Sequence, residues 1–228
     1  MDSPINAFKS NIEEAVKLLS IHEEKTGEKP GRRYDVEILN KSCIVLTTAC
    51  WEAFVEDIAT RALQYMLDNC TSPFSFPSPL LRIVDEEVKA EKHELRVFDL
   101  AGDGWRKVMI EHKDKMLKEN VGRFNTPKFG NVDTLLKKVL GIDDTSNCWY
   151  WRGMSNQNAK KKLNEFIALR GSIAHELKTA DPVKKNQADD YATFVIRIAI
   201  KTSNCVRSHV HSIVGSYPWP ESRVGSFR

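Results

Sequence analysis

Nearly every apolar run in this chain recurs at intervals of three or four residues, and no stretch alternates strictly between apolar and polar with hairpin turns at its ends. That period belongs to helices, so the sequence predicts an all-α domain. The strongest instance runs from near Asp35 to about Asn69, where Leu39, Cys43, Leu46, Cys50, Phe54 and Ile58 fall on one stripe. Ile38, Val45, Trp51, Val55, Ala62 and Met66 add a neighbouring stripe. A helix apolar over more than half its circumference belongs at the centre of a bundle. At 1.5 Å per residue it reaches about 50 Å, long enough for a kink or an early end to be expected.

The other elements are read from caps and breakers. A first helix opens near Ser3 and Pro4 and carries Phe8, Ile12, Ala15, Val16 and Leu19 inward, ending by the Gly27 to Gly31 breaker. The prolines of Thr71 to Pro79 predict a loop, because proline lacks the donor and clashes with the preceding turn. From Leu80 to Asn131 the pattern weakens. It yields a charged helix around Asp85 to Leu95, a turn at Gly102-Asp103-Gly104 and a helix from Trp105 to about Asn120. Val132 to Leu140 is short and capped by Gly141. Ser155 to Lys178 carries Leu163, Phe166, Leu169, Ile173 and Leu177 on one stripe, with Asp181-Pro182 as the stop. The last helix runs from about Lys184 to Ile213, with Ala192, Val195, Ile198 or Ala199, Val206 and Val210 inward. The expected organisation is one helical domain over residues 1–214, with an irregular helical insertion at about 71–131. Residues 215–228 form a tail, either frayed or docked as an extended arm.

With 228 residues, 41% hydrophobic and 29% charged, the chain is long enough for a core without disulfide or metal staples. Its net charge of +3 announces no nucleic-acid binder. The charge is uneven, however. Between Arg152 and Arg207 eleven basic residues face five acidic ones, so that segment carries +6 and the remainder −3. Five cysteines, Cys43, Cys50, Cys70, Cys148 and Cys205, form no C-x-x-C pair and read as buried free thiols of a reducing compartment. The first residues lack a secretory apolar run. Ser42 to Trp51, the longest uncharged apolar-leaning stretch, is too short to span a bilayer. The expectation is a soluble cytoplasmic protein with no membrane partner.

Phosphate-loop, dinucleotide-binding, nucleophile-elbow and H-E-x-x-H motifs are all missing. His209 and His211 stand about 200° apart on a helix and make no metal pair. Glu87-Val88-Lys89 echoes the E-x-K of metal-dependent nucleases without the upstream strand and aspartate such a site needs. Leu169-Arg170-Gly171-Ser172-Ile173-Ala174-His175-Glu176 is different, because it sets an arginine and a histidine on a helix built to be buried on one side. Arginine grips phosphate with two donors, and histidine exchanges a proton near neutral pH. That pair is the minimum kit for metal-free RNA cleavage, in which the ribose 2′-hydroxyl attacks the adjacent phosphorus, although by spacing alone an arginine and a histidine five apart on a surface helix are more often solvated or interface residues. On an ideal helix Arg170 and His175 lie about 140° and 7.5 Å apart. Either the helix is distorted near Gly171 or another chain completes the site. Glu176 either orients a histidine of the partner chain or pairs with Arg170. Lys160, Lys161 and Lys162, with Lys184 and Lys185, attract RNA backbone or form a solvated face. Trp149, Tyr150 and Trp151 stack on bases or plug the core. Glu52 and Glu56 beside Trp51 read as carboxylates at the edge of a packed helix.

The R-x-x-x-x-H run from Arg170 to His175 resembles the signature of the HEPN superfamily. Three more stretches resemble its RiboL-PSP-HEPN branch, over roughly Leu39 to Arg207. They are Thr48 to Asp57 (Thr-Ala-Cys-Trp-Glu-Ala-Phe-Val-Glu-Asp), Phe124-Asn125-Thr126-Pro127 followed by Val132 to Ile142, and Trp149 or Trp151 ahead of the motif helix. The resemblance implies a helical bundle that dimerises so that two motifs meet in a cleft. It further implies a metal-independent endoribonuclease without cofactor, serving as a toxin or antiphage effector under an antitoxin or sensor partner. Arg170 would bind the scissile phosphate and His175 would move the proton, with Ser172 and Glu176 in support. Some relatives are non-catalytic RNA-binding or protein-interaction modules, the alternative for this chain. Gly171 stands where active members often carry a polar residue, commonly Asn, and Glu176 where Gly often follows the histidine.

Overall fold

A computed structural model describes residues 3–26, 36–90, 96–122, 124–176 and 181–223. Helix α1 (Pro4–Thr26) begins on its proline, where the missing donor costs nothing, and turns Ile5, Phe8, Ile12, Ala15 and Leu19 inward. Helix α2 (Glu37–Asn69) follows as the long central element, and α1 packs along it. Helices α3 (Ser78–Ala90), α4 (Gly104–Glu111) and α5 (Lys113–Asn120) form the irregular middle of the chain. Helices α6 (Phe129–Leu140), α7 (Asn156–Glu176) and α8 (Lys185–Val214) complete the bundle. Among the described residues no strand occurs, only an isolated bridge between Trp151 and Met154. Gly141 ends α6 at φ 77°, a left-handed cap that glycine takes without a Cβ penalty.

The core forms around α2, which contacts α1, α8, α7 and α6. Trp51 is completely buried and donates its indole N–H to the Pro127 carbonyl at 3.0 Å. Trp149, equally buried, meets Trp51 edge-on at 5.8 Å and donates to the Thr202 hydroxyl at 2.9 Å. Two buried indoles with satisfied N–H groups thus bind α2, the loop before α6 and α8 into one block. Arg106 of α4 donates to the Leu67 and Cys70 carbonyls, closing the C-terminal end of α2.

Several expectations change. Ile38 and Leu46, expected one on each apolar stripe, are 58% and 45% exposed, because the neighbouring helices cover the Cys43, Thr47, Trp51 and Phe54 side of α2 and leave the Ile38, Leu46, Ala49 and Ala53 face bare. The loop expected through Pro79 ends earlier: α3 starts at Ser78, since proline is tolerated in a first helical turn; the expected continuation of this helix to Leu95 lies outside the described residues. The expected Trp105 helix is two helices meeting at His112. Leu177 and Lys178 lie outside the described residues. The tail docks as far as Ser222. Trp219 is 2% exposed, Arg207 Nε donates to its carbonyl at 2.8 Å, and Ser222 pairs with the Asn204 side chain in both directions. By length and composition α2 is apolar enough to cross a membrane, but here it is packed as a bundle's core helix.

Candidate functional site

Helix α7 runs unbroken through Gly171, so the motif sits on regular geometry. Leu163, Phe166, Ile167 and Ile173 turn inward, which decides where their neighbours point. Arg170 is half-buried, and its Nε is buried with no hydrogen-bond partner. His175, five residues on, is exposed near the helix end. Distortion at Gly171 is therefore not how the motif closes, and within one copy the two side chains point apart by the roughly 140° of an ideal helix. A Cβ built on Gly171 meets nothing within 4 Å, so the surface beside the imidazole is open. Ser172 is exposed and turns its hydroxyl back to the Ala168 carbonyl at 3.4 Å. Glu176 closes the helix, and its side chain lies outside the described residues.

Around Arg170 the structure gathers groups far apart in sequence. Burial raises the Glu52 carboxyl above its usual range, while the nearby Arg170 charge pulls it back down. Glu56, one turn further along α2, is raised by burial and by the Glu52 charge. From α8, Tyr191 sits fully buried with its phenol pushed up by desolvation and eased by Arg170. Its O–H meets Thr48 Oγ1 at 2.9 Å, and because Thr48 already donates to the Ile44 carbonyl at 2.9 Å, the phenol is the donor. Phe166 stacks on the Tyr191 ring at 4.1 Å. The guanidinium is thus a cation in a partly dry setting, beside one carboxylate, with a donor still to give. A guanidinium with no ion pair among the described residues suits an anionic phosphate oxygen through its terminal N–H groups, the Nε itself being closed to solvent. The sequence offered Glu52 as a packed edge residue and Thr48 only as the start of the Thr48 to Asp57 stretch, with no role at the site, and Tyr191 was missed. The available signal for Tyr191 was a lone phenol among Ala188, Ala192 and Val195 on a buried stripe.

The three lysines have local partners. Lys160 donates to Asn147 Oδ1 at 2.8 Å and lies 5.5 Å from the Phe129 ring centroid. Lys161 pairs with Glu165 at 3.8 Å, and Lys162 with Asp190 at 2.7 Å. Lys185 pairs with Glu23. Lys160, Lys161 and Asn164 line a shallow groove of about 570 Å³ on the outer face of α7. Of the aromatic trio, Trp149 is a core plug, Trp151 is half-buried and Tyr150 is 60% exposed.

Other singled-out groups have structural partners. Glu87 and Lys89 of the E-x-K stretch pair with Lys115 and Asp85. His209 Nε2 lies 2.8 Å from the Leu140 carbonyl, and His211 stacks on Tyr217 at 3.9 Å. All five cysteines are free, and burial lifts the Cys43 thiol to about 11. Among the described residues no three His, Cys, Asp or Glu side chains cluster as metal ligands.

The family model described as RiboL-PSP-HEPN matches residues 8–208, a span holding α2, the Phe124 to Ile142 stretch, Trp149 and the Arg170–His175 motif. No curated protein and no solved structure matches the chain.

Proposed function

Because the chain belongs to the RiboL-PSP-HEPN family, we propose that it is a metal-independent endoribonuclease whose centre is completed when two copies bring their Arg170 and His175 together. The observation that carries this reading is the divergence of the two side chains on an unbroken helix: Arg170 faces the bundle with a donor unused, and His175 faces solvent. A two-fold axis beside α7 sets one copy's histidine against the other's arginine, which a single copy cannot do. Leu46, Ala49 and Ala53 on α2, with Ala168 and Ala174 on α7, offer a second copy exposed small and apolar side chains.

In this centre a ribose 2′-oxygen forms a bond to the adjacent phosphorus as its proton passes to a histidine. The bond from phosphorus to the 5′-oxygen breaks, and that oxygen takes a proton. Arg170 donates to the phosphorane oxygens as charge gathers on them, with the Glu52 charge nearby. The products are a 2′,3′-cyclic phosphate and a 5′-hydroxyl. Ser172 and Glu176 support the site across the two-fold, and Lys160, Lys161 and Lys162 draw RNA toward it. Such an enzyme suits growth arrest or antiphage defence in the cytoplasm, held in check by an antitoxin or sensor.

The second reading, a non-catalytic RNA-binding or partner-docking module, draws on Gly171, where open space replaces the polar side chain common in active relatives. Both are tested by incubating wild type, Arg170→Ala and His175→Ala, each verified as folded, with single-stranded and structured RNA in EDTA. The nuclease reading predicts cyclic-phosphate ends from wild type and a loss of at least about a hundredfold in His175→Ala. It also predicts no cut where the 2′-hydroxyl is replaced by hydrogen. Intact RNA with wild type, or undiminished cleavage by His175→Ala, overturns it.

A further inference from the structure

The residues leading away from Arg170 interleave charged side chains with rings. On α8, Asp190, Phe194, Arg197 and Lys201 follow at intervals of four, three and four, one stripe about 16 Å long. On α7, Lys162, Phe166 and Arg170 follow at intervals of four, a second stripe that ends at the candidate site. The two stripes meet at Lys162, whose Nζ lies 5.1 Å from the Phe194 ring and 6.0 Å from the Phe166 ring. Trp151 continues the line 6.2 Å from Phe194, with the Arg197 guanidinium 5.6 Å from the indole. Tyr150 ends it, 60% exposed, with Lys201 Nζ 5.1 Å from its ring.

Three features make this more than a solvated charged face. Arg197 Nε is buried without a hydrogen-bond partner, the same condition as Arg170 Nε. Among the described residues Arg197 and Lys201 have no ion pair, whereas Lys162 is neutralised by Asp190. The loop presenting the rings is fixed in shape, since Trp151 and Met154 exchange both backbone hydrogen bonds, at 3.1 and 2.9 Å, and Gly153 turns at φ 85°. An exposed ring and unpaired cations on a rigid surface suit a strand with free bases and a charged backbone. A duplex offers no unstacked base to Tyr150.

We propose that the seam between α7 and α8 is a binding track for single-stranded RNA flanking the bond at Arg170, with Tyr150 stacking a base and Arg197 and Lys201 taking phosphates. It rests on the reading that RNA is the ligand of Arg170, but not on cleavage. The test uses the His175→Ala full chain, so that RNA survives, with a fluorescein-labelled 12-nucleotide single strand and its duplex measured by anisotropy across salt. Tyr150→Ala is expected to weaken single-strand binding on the order of tenfold and leave the duplex unchanged. Arg197→Gln and Lys201→Ala are each expected to flatten the salt slope by about 0.7. Circular dichroism melts confirm that each variant folds. Single-strand affinity indifferent to all three substitutions overturns the track, as does a loss at Arg197 and Lys201 that is equal for duplex and without effect at Tyr150. Seam-dependent binding by a wild-type chain that leaves RNA intact in the cleavage assay refutes the nuclease alone.

Discussion

Arg170 is half-buried, orphaned at Nε, and set beside a carboxylate that its own burial disfavours. Sequence could place Arg170 and His175 on one helix but not their environments, because helix packing brings in Glu52 and Thr48 from more than a hundred residues away and Tyr191 from the next helix. Glu56 allows a clean check of the local electrostatics. Its carboxyl is raised by burial first and by Glu52 second. A folded-state value above the unfolded one means that the native state holds its proton longer, so stability is favoured at low pH and lost as pH rises through the folded value. Glu56→Gln removes a group that is charged and partly desolvated at neutral pH. The melting temperature of the variant is expected to exceed that of wild type at pH 7–8, with the gain shrinking toward pH 4. A gain independent of pH contradicts this assignment.

At the scale of elements, helix existence was legible because period and breakers are local. Proline at α1, Gly141 after α6 and the apolar stripes of α7 and α8 all stand where the pattern indicates. The covered side of α2 was not legible. Its apolar side chains span more than half its circumference, and only the positions of α1, α6, α7 and α8 decide that Trp51 is inside and Leu46 outside. The middle of the chain was read least well, since short amphipathic pieces such as α4 and α5 take their limits from what they pack on. Trp51 gives the strongest test of the element packing. Its removal opens a cavity where α2, the Pro127 carbonyl and Trp149 meet. Trp51→Ala is expected to cost about 3–5 kcal/mol in urea unfolding, a large part of the roughly 5–15 kcal/mol of a whole domain. A loss below about 1 kcal/mol would mean that the indole does not anchor the bundle.

For the whole molecule, part of the basic excess of residues 152–207 has a physical location: α7, α8 and the aromatic loop put Lys162, Arg197 and Lys201 along one seam running to Arg170. Of these cations Arg197 and Lys201 have no ion pair among the described residues, and on the proposed reading they face the RNA strand while the exposed Leu46, Ala49 and Ala53 of α2 face the second copy. The central claim is that one copy's arginine and another's histidine make one centre. It is tested most directly by co-expressing Arg170→Ala and His175→Ala chains under different tags, purifying the mixed dimer and assaying RNA cleavage in EDTA. Each variant alone lacks one member of every pair, while the mixed dimer keeps one intact pair of two. Recovery to about half the wild-type rate is predicted. A mixed dimer as inactive as either parent, beside an active wild type, would contradict the account.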